Sequence, residues 1–147
     1  MPAPINAANI LLDVAASSRD DVLRAVADHA ASAGYASDAA GVLEGLLARE
    51  AEMSTALMDE IAIPHAKHAS ITDAALVVVR TADAVDWEGT PTRVALAMLV
   101  PAAEAGTTHL ALLAQVSRML IDDDVRATLR TGDAQAIVAM LEGAITL

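Results

Sequence analysis

The chain has no cysteine and no phenylalanine, and only one tryptophan and one tyrosine among its 147 residues. Without cysteine it can form no disulfide, and thiolate catalysis and thiolate metal sites are excluded. With so few aromatic side chains, it has no stacking surface for nucleic acid. The core must therefore be built from leucine, valine, isoleucine, alanine and methionine.

Basic residues are also scarce, since nine Lys and Arg stand against 20 Asp and Glu, a formal net charge of -11. A nucleic-acid-binding protein needs a basic patch that neutralises phosphates, so we expect no nucleic-acid partner. Acidity is compatible with docking onto a basic protein, where complementary charge raises the encounter rate. It is equally compatible with a chain that is simply soluble.

No apolar run approaches the length that a membrane-spanning helix needs, and the start of the chain lacks the basic segment of a signal peptide. We therefore expect a cytoplasmic protein with no direct membrane insertion. The length, with 55% apolar and 20% charged residues, fits one globular domain over residues 1–147.

The spacing of apolar residues predicts both strands and helices. Short strands are predicted at residues 10–12, 75–79 and 94–100, and helices after Ser18, Ser37 and Pro101 and at residues 122–130 and 133–141. Ser18 and Ser37 would cap the first two helices. Helices on either side of a few apolar strands indicate a single layered α/β domain.

Residues 59–68, DEIAIPHAKH, are the most informative segment. Residues 61–63 form a short apolar run that reads as a buried strand ending at Pro64, where φ is fixed and the backbone donor is missing. His65 is therefore expected where a strand gives way to a loop. A rigid scaffold can hold an imidazole there in a fixed orientation, and a carried phosphoryl group would suit it.

Two further residues are candidates for the same site. His109 falls in the first turn of the predicted helix after Pro101, where free backbone amides and the helix dipole favour an anion. Arg49 lies at the end of a predicted helix before the segment that leads to His65, and its guanidinium could bind phosphoryl oxygens. By contrast, Glu44, Glu50 and Glu52 read as a solvated helix face. Sequence alone does not give the strand order, so the proximity of these residues stays a hypothesis.

These residues, in this order, resemble the cytoplasmic A component (EIIA) of the phosphoenolpyruvate-dependent sugar phosphotransferase system, in its fructose, mannitol and nitrogen-regulatory class. Residues 61–65, IAIPH, match the phosphorylation motif of that family. Residues 49–52, 85–87 and 101–110 look like its other conserved blocks. The resemblance covers nearly the whole chain and implies an α/β fold with a mixed β-sheet flanked by helices on both faces.

The resemblance also implies a function. The chain would be a phosphotransferase that accepts a phosphoryl group on His65 from the small carrier HPr and passes it to the B component (EIIB). Arg49 would stabilise charge, and His109 would be the second active-site histidine. No cofactor and no metal are expected. The transported substrate would be fructose or a related sugar or polyol, and the chain could be fused to, or form a complex with, EIIB and EIIC.

Two positions depart from the family pattern, because Glu60 and Ala66 stand where glycine is common. Two alternatives stay open. A nitrogen-type EIIA would carry the same phosphohistidine but act through phosphorylation-dependent protein binding. A metal-binding module would use His65, His68 and His109 as ligands. The sequence leaves open the sugar, the choice between transport and regulation, the fusion to other domains and the oligomeric state.

Overall fold

The computed structural model describes residues 2–104 and 106–146, without the side chains of Thr107 and Thr108. In this part the chain folds into one α/β domain with five strands and five α-helices. The strands are β1 (Ile10–Val14), β2 (Ile61–Ala62), β3 (His65–His68), β4 (Ala75–Trp87) and β5 (Thr90–Pro101). The helices are α1 (Arg19–Ser32), α2 (Ala39–Glu52), α3 (Thr107–Met119), α4 (Asp123–Thr131) and α5 (Ala134–Ala144). None of these helices has the length and apolarity needed to cross a bilayer.

The five strands form one mixed sheet with helices on both faces, which confirms the predicted fold. The order is β1-β4-β5-β2, and β3 extends the pairing of β2 along β5. Strands β4 and β5 are antiparallel, whereas the other pairs are parallel. Alternate residues of β4 pack against α1 and α2 on one face and against α3, α4 and α5 on the other. Both faces are thus covered, as strands without polar alternation require.

The hairpin of β4 and β5 is longer than its apolar residues predict. The strands continue beyond the buried core to a two-residue turn, Glu88 and Gly89, with φ angles of 51° and 94°. Positive φ at both positions is the geometry of a tight hairpin turn. The exposed residues Ala82, Asp83 and Ala84 interrupt the run of large apolar side chains and hide this extension in the sequence, but Val85 and Trp87 beyond them are buried again.

The first two helices begin with side-chain caps. Ser18 accepts a hydrogen bond from the backbone N–H of Asp21 at 3.1 Å, as predicted. The prediction for Ser37 is wrong, because Asp38 caps α2 through a 2.6 Å bond from the N–H of Gly41. Ser37 turns instead towards the carbonyl of Ser70, which its backbone N–H contacts at 2.7 Å. The carboxylate of Asp38 lies one residue closer to the free amides of the first turn than the hydroxyl of Ser37, and it therefore caps α2.

Pro64 interrupts a strand but does not end it, so the expectation of a loop at His65 is wrong. The chain pairs with β5 before the proline as β2 and resumes that pairing after it as β3, whose first residue is His65. The carbonyl of Pro64 accepts a bond from the N–H of Met98 at 3.0 Å. A proline removes one donor but keeps its acceptor, and this acceptor holds the segment on β5. His65 is therefore fixed by the sheet itself.

Candidate functional site

Arg49, His65 and His109 lie together in one cleft. Arg49 comes from the last turn of α2, His65 from the start of β3 and His109 from the first turn of α3. The cleft has a volume of about 360 Å³, which leaves room for a small group beside the imidazole of His65. Its other lining residues are Glu44, Gly45, Ala48, Glu52, Ala66, Lys67 and His68. The structure thus brings together the three residues singled out from the sequence.

The imidazole of His65 is held at both nitrogen atoms. Its Nδ1 lies 2.9 Å from the carbonyl oxygen of Ile63, and because a carbonyl can only accept, Nδ1 carries the hydrogen. Its Nε2 accepts a bond from Nε of Arg49 at 3.0 Å, so Nε2 bears the lone pair. The side chain is buried, with 8% of its surface exposed. His65 is therefore a neutral imidazole with a defined tautomer.

Arg49 is fixed by a second contact. Its Nη1 donates to the backbone carbonyl of Met53 at 2.7 Å, just beyond the end of α2. With Nε on His65 and Nη1 on Met53, the plane of the guanidinium is set relative to the imidazole. A planar group with several donors held in this way can contact an oxyanion next to Nε2 of His65.

His109 adds a second imidazole and a helix terminus. Its ring centroid lies 5.3 Å from that of His65, with an angle of 48° between the ring planes. Because α3 begins at Thr107, His109 lies in the first turn, where backbone N–H groups have no partner within the helix and the dipole favours negative charge. An anion carried by His65 would therefore face a favourable potential.

The surroundings of His65 and of His109 favour the neutral form of each imidazole. Burial lowers the pKa of His65, and the charge of Arg49 acts in the same direction, while the carbonyl of Ile63 and the charge of Glu50 oppose it. Burial also lowers the pKa of His109, followed by the effect of His65 and of Lys67. A neutral imidazole is the form that has a free lone pair.

We expect the free energy of unfolding to fall as the pH is lowered from 7.5 to 5.5. The pKa values of His29, His65 and His109 are all lowered in the folded protein, chiefly by burial. The unfolded chain therefore binds protons first, so this stability is present above the unfolded pKa of about 6.5 and is lost as the pH falls below it. Urea unfolding at the two pH values measures the difference. Histidine signals titrating in NMR with midpoints at or above 6.5 would contradict the cause.

His68 does not join the other two histidines. Its Nδ1 accepts a bond from the backbone N–H of Ser70 at 3.0 Å, and its Nε2 lies 3.3 Å from a carboxylate oxygen of Glu44. Both nitrogens of His68 are thus engaged by Ser70 and Glu44 rather than by His65 or Arg49. Across the residues that the structure describes, no three potential His, Asp or Glu ligands lie together as a metal site requires. No observation favours the metal-binding alternative.

The expectation that Glu50 lies on a solvated helix face is wrong. Glu50 is 2% exposed, and its Oε1 accepts bonds from Trp87 Nε1 at 3.0 Å and from the N–H of Thr55 at 3.1 Å. The hydroxyl of Thr55 contacts the other carboxylate oxygen. Its position four residues after Leu46 puts it on the buried stripe of α2, and that spacing was the available signal.

Glu60 shows why glycine is common at its position in the resembled family. Its φ is 63° and that of Asp59 is 55°, a left-handed conformation that costs a residue with a side chain roughly 1–2 kcal/mol. The strain is offset at Asp59, whose carboxylate accepts a 2.6 Å bond from Nε of Arg126 and lies 3.1 Å from Nη1 of Arg130. Helix α4 thereby holds the segment that leads into β2.

Comparison with known families matches residues 3–144 to the family described as "Phosphoenolpyruvate-dependent sugar phosphotransferase system, EIIA 2". The chain is 34% identical over 126 residues to the 2-O-alpha-mannosyl-D-glycerate-specific EIIABC component of Escherichia coli, covering 83% of this chain and 19% of that protein. It therefore spans about a fifth of that relative. It is 31% identical over 132 residues to the fructose-specific EIIA component of Haloferax volcanii, covering 88% of this chain and 85% of the relative.

Solved structures show the same fold. The nitrogen regulatory protein IIA-Ntr of Neisseria meningitidis superposes with a TM-score of 0.82 at 27% identity, covering 94% of this chain and 96% of that one. The mannitol IIA of Escherichia coli superposes with a TM-score of 0.77 at 20% identity, covering 93% of this chain and 98% of that one. The likeness to the mannitol protein concerns the fold alone.

Proposed function

Because this chain belongs to the EIIA 2 family of the phosphoenolpyruvate-dependent sugar phosphotransferase system, a family of phosphoryl-transfer components, we propose that it carries a phosphoryl group on Nε2 of His65. The observation that supports this most directly is the tautomer, since Nδ1 donates to Ile63 and leaves the Nε2 lone pair in the cleft. Incubation with phosphoenolpyruvate, enzyme I and HPr tests it. One acid-labile phosphoryl group is expected, and a folded protein that gains none would contradict the proposal.

The transfer step follows from the neutral state of His65. The Nε2 lone pair attacks the phosphorus of a donor phosphohistidine, a P–N bond forms, and the donor P–N bond breaks. If the other nitrogen of the donor ring carries a proton, the donor leaves as neutral imidazole and no proton needs to move. The positive charge then resides on the ring of His65, where the carbonyl of Ile63 stabilises it through Nδ1–H.

Arg49 has two successive roles in this scheme. Before transfer, its Nε–H bonds to the lone pair of His65 at 3.0 Å and holds the ring in orientation. During transfer it must release that lone pair and turn to the phosphoryl oxygens, over which negative charge spreads. The contact of Nη1 with Met53 keeps the guanidinium next to the phosphorus throughout. Positioned charge of this kind is the main catalytic contribution in phosphoryl transfer.

We expect His109→Ala to slow phosphorylation about tenfold with little change in folding. The variant loses an N–H donor beside the phosphoryl group, but His109 is half-exposed, so the loss should lie below the 10²- to 10³-fold typical of a buried donor. Rapid-quench measurement of the transfer rate from phospho-HPr checks this. His68→Ala is the matched control, because His68 lines the same cleft but faces Glu44 and Ser70. Equal rates for the two variants would argue against a role for His109.

The expected donor is HPr and the expected acceptor is EIIB. Support for the acceptor comes from the name of the Escherichia coli relative, which joins A, B and C components. That relative is about five times as long as the matched segment, so this chain could work as a free protein or as part of a larger one. The formal charge of -11 would favour docking onto basic partner surfaces.

We propose that the sugar transported by this system is fructose or a related sugar or polyol. Similarity to the fructose-specific component of Haloferax volcanii supports it. The regulatory alternative also has support, because the Neisseria structure is a nitrogen regulatory IIA at 27% identity. Phosphoryl transfer from this protein to its cognate EIIB with sugar consumption would support transport. Tight binding to an unrelated protein in one phosphorylation state, without transfer to any EIIB, would support regulation.

A further inference from the structure

Glu50 is a buried acidic residue that the transfer step does not use. It is 2% exposed, and no ion pair among the described residues includes it. Its oxygens are satisfied by the indole N–H of Trp87 and by the backbone N–H and hydroxyl of Thr55. A buried carboxylate without a cation is costly unless it is well hydrogen-bonded. An apolar residue would fill the same helix position at lower cost, so the carboxylate calls for a specific explanation.

The contacts of Thr55 lead directly to the imidazole. Its carbonyl accepts a bond from the N–H of Ile63 at 3.0 Å, and the carbonyl of Ile63 accepts the 2.9 Å bond from Nδ1 of His65. Glu50 therefore fixes Thr55, Thr55 fixes Ile63, and Ile63 sets the tautomer and the ring orientation of His65. Each link includes a hydrogen bond to a backbone group of Thr55 or Ile63, so these groups are present whatever side chains those two residues carry.

The other side of the imidazole depends on the same short segment. Arg49 contacts Nε2 of His65 and, through Nη1, the carbonyl of Met53. Met53 lies two residues before Thr55, and the bonds from Thr55 to Glu50 close this segment onto the end of α2. If residue 50 released Thr55, the acceptor that positions the guanidinium would lose its support as well.

Trp87 connects Glu50 to the β-sheet. Its indole is fully buried at the end of β4 and donates to Glu50 at 3.0 Å. The sheet thus holds the carboxylate, and the carboxylate holds the segment after α2. We infer that Glu50 is a positioning residue, which fixes both nitrogens of His65 through Thr55 and Ile63 on one side and through the Met53 support of Arg49 on the other. This inference rests on the proposed role of His65.

Glu50→Gln tests the inference with little change in shape. The amide oxygen can keep the bonds from Trp87 and from the N–H of Thr55, but the NH₂ group replaces the oxygen that accepts from the Thr55 hydroxyl. That hydroxyl must turn and accept instead, and all three bonds lose the charge of the carboxylate. We expect the rate of transfer from phospho-HPr to fall by about tenfold or more, since a displacement of about 1 Å in a reacting group can cost on the order of 100-fold. The KM for phospho-HPr should stay unchanged, because the buried Glu50 cannot touch a partner.

A second readout needs no phosphoryl donor. Nitrogen-15 NMR of the imidazole reports the fraction of each tautomer, and in the wild type His65 should be almost wholly the Nδ1–H form. In Glu50→Gln we expect a mixture of tautomers, because Thr55 and, through it, the carbonyl of Ile63 are held less firmly. The emission of Trp87, the sole tryptophan, shows whether the indole contact has changed.

Two further variants separate positioning from stability. Thr55→Val removes only the hydroxyl contact to Glu50 and should reduce the rate in the same direction if Glu50→Gln does not fold. Thr92→Val is the matched control, because Thr92 is buried like Thr55 (2% and 4% exposed) and, among the described residues, its hydroxyl bonds only to the carbonyl of Thr90, at 3.2 Å. It should lower the melting temperature without altering the transfer rate or the His65 tautomer.

The outcomes distinguish this inference from the proposed function. A folded Glu50→Gln or Thr55→Val protein with the wild-type transfer rate and an unchanged His65 tautomer would overturn the positioning role, even if the wild type is phosphorylated on His65. A wild type that takes no phosphoryl group would overturn the proposed function instead, whereas the tautomer measurement would still report on Glu50. A lower rate of transfer at an unchanged KM for phospho-HPr, together with a mixture of His65 tautomers, would support the inference.

Discussion

His65→Ala is expected to abolish phosphorylation by HPr while the protein stays folded. The variant removes the imidazole whose Nε2 faces Arg49, and in the described part of the chain no hydrogen bond joins an arginine to any of the other histidines. His68 is bonded to Ser70 and directed at Glu44. The loss leaves the carbonyl of Ile63 without its bond from His65, which should lower the free energy of unfolding by about 1–3 kcal/mol. Mass spectrometry of the intact protein after incubation with the phosphoryl donors measures the expected loss.

His65→Gln is the control for folding in that experiment. Its amide can still bond to the neighbours of His65 but cannot carry a phosphoryl group, so it should match the wild type more closely in stability and match His65→Ala in having no phosphate. If either variant gained a phosphoryl group at the wild-type rate, His65 would not be the carrier residue.

Arg49→Ala is expected to slow transfer by about 10²- to 10³-fold, the magnitude that the loss of a fixed charge beside a developing oxyanion produces. The guanidinium contacts both His65 and Met53, and no other cation is held against Nε2 by a hydrogen bond in the described residues. Arg49→Lys should recover only part of the rate, because an ammonium is a point charge that cannot span both contacts in the same plane. Single-turnover transfer from phospho-HPr measures both variants.

Arg118→Ala is the matched control, since Arg118 is an exposed arginine in the last turn of α3. Its loss changes the net charge by the same amount and should leave the rate within about twofold of the wild type, as expected for a surface charge outside the site. Equal rates for Arg49→Ala and Arg118→Ala would show that Arg49 contributes only its long-range charge.

The sequence indicated the three residues of the candidate site more readily than the contacts that hold them together. The run IAIPH and the helix ends are local signals, so His65, Arg49 and His109 could be named without knowing the strand order. Their proximity depends on β3 lying beside β5 and on α3 starting next to it, which only the folded chain shows. The motif indicated the chemistry, and the topology assembled the residues.

The errors of sequence reasoning also have physical causes. Glu50 was assigned to a solvated face because its charge outweighed its helical spacing, yet Trp87 and Thr55 provide enough donors to bury it. His65 was expected in a loop because a proline, which lacks a backbone donor, usually ends the strand in which it occurs. Here the carbonyl of Pro64 keeps the segment on β5. In both cases, distant backbone and side-chain partners decided the outcome, and a local pattern does not contain them.

The central claim is that Nε2 of His65 carries the phosphoryl group. The most direct test incubates the protein with phosphoenolpyruvate, enzyme I and HPr, and maps the phosphopeptide under mildly alkaline conditions that preserve phosphohistidine. One phosphoryl group on His65, attached at Nε2 by NMR of the intact protein, is the predicted result. A phosphoryl group on His109 or His68, or none on a folded protein with active HPr, would contradict it.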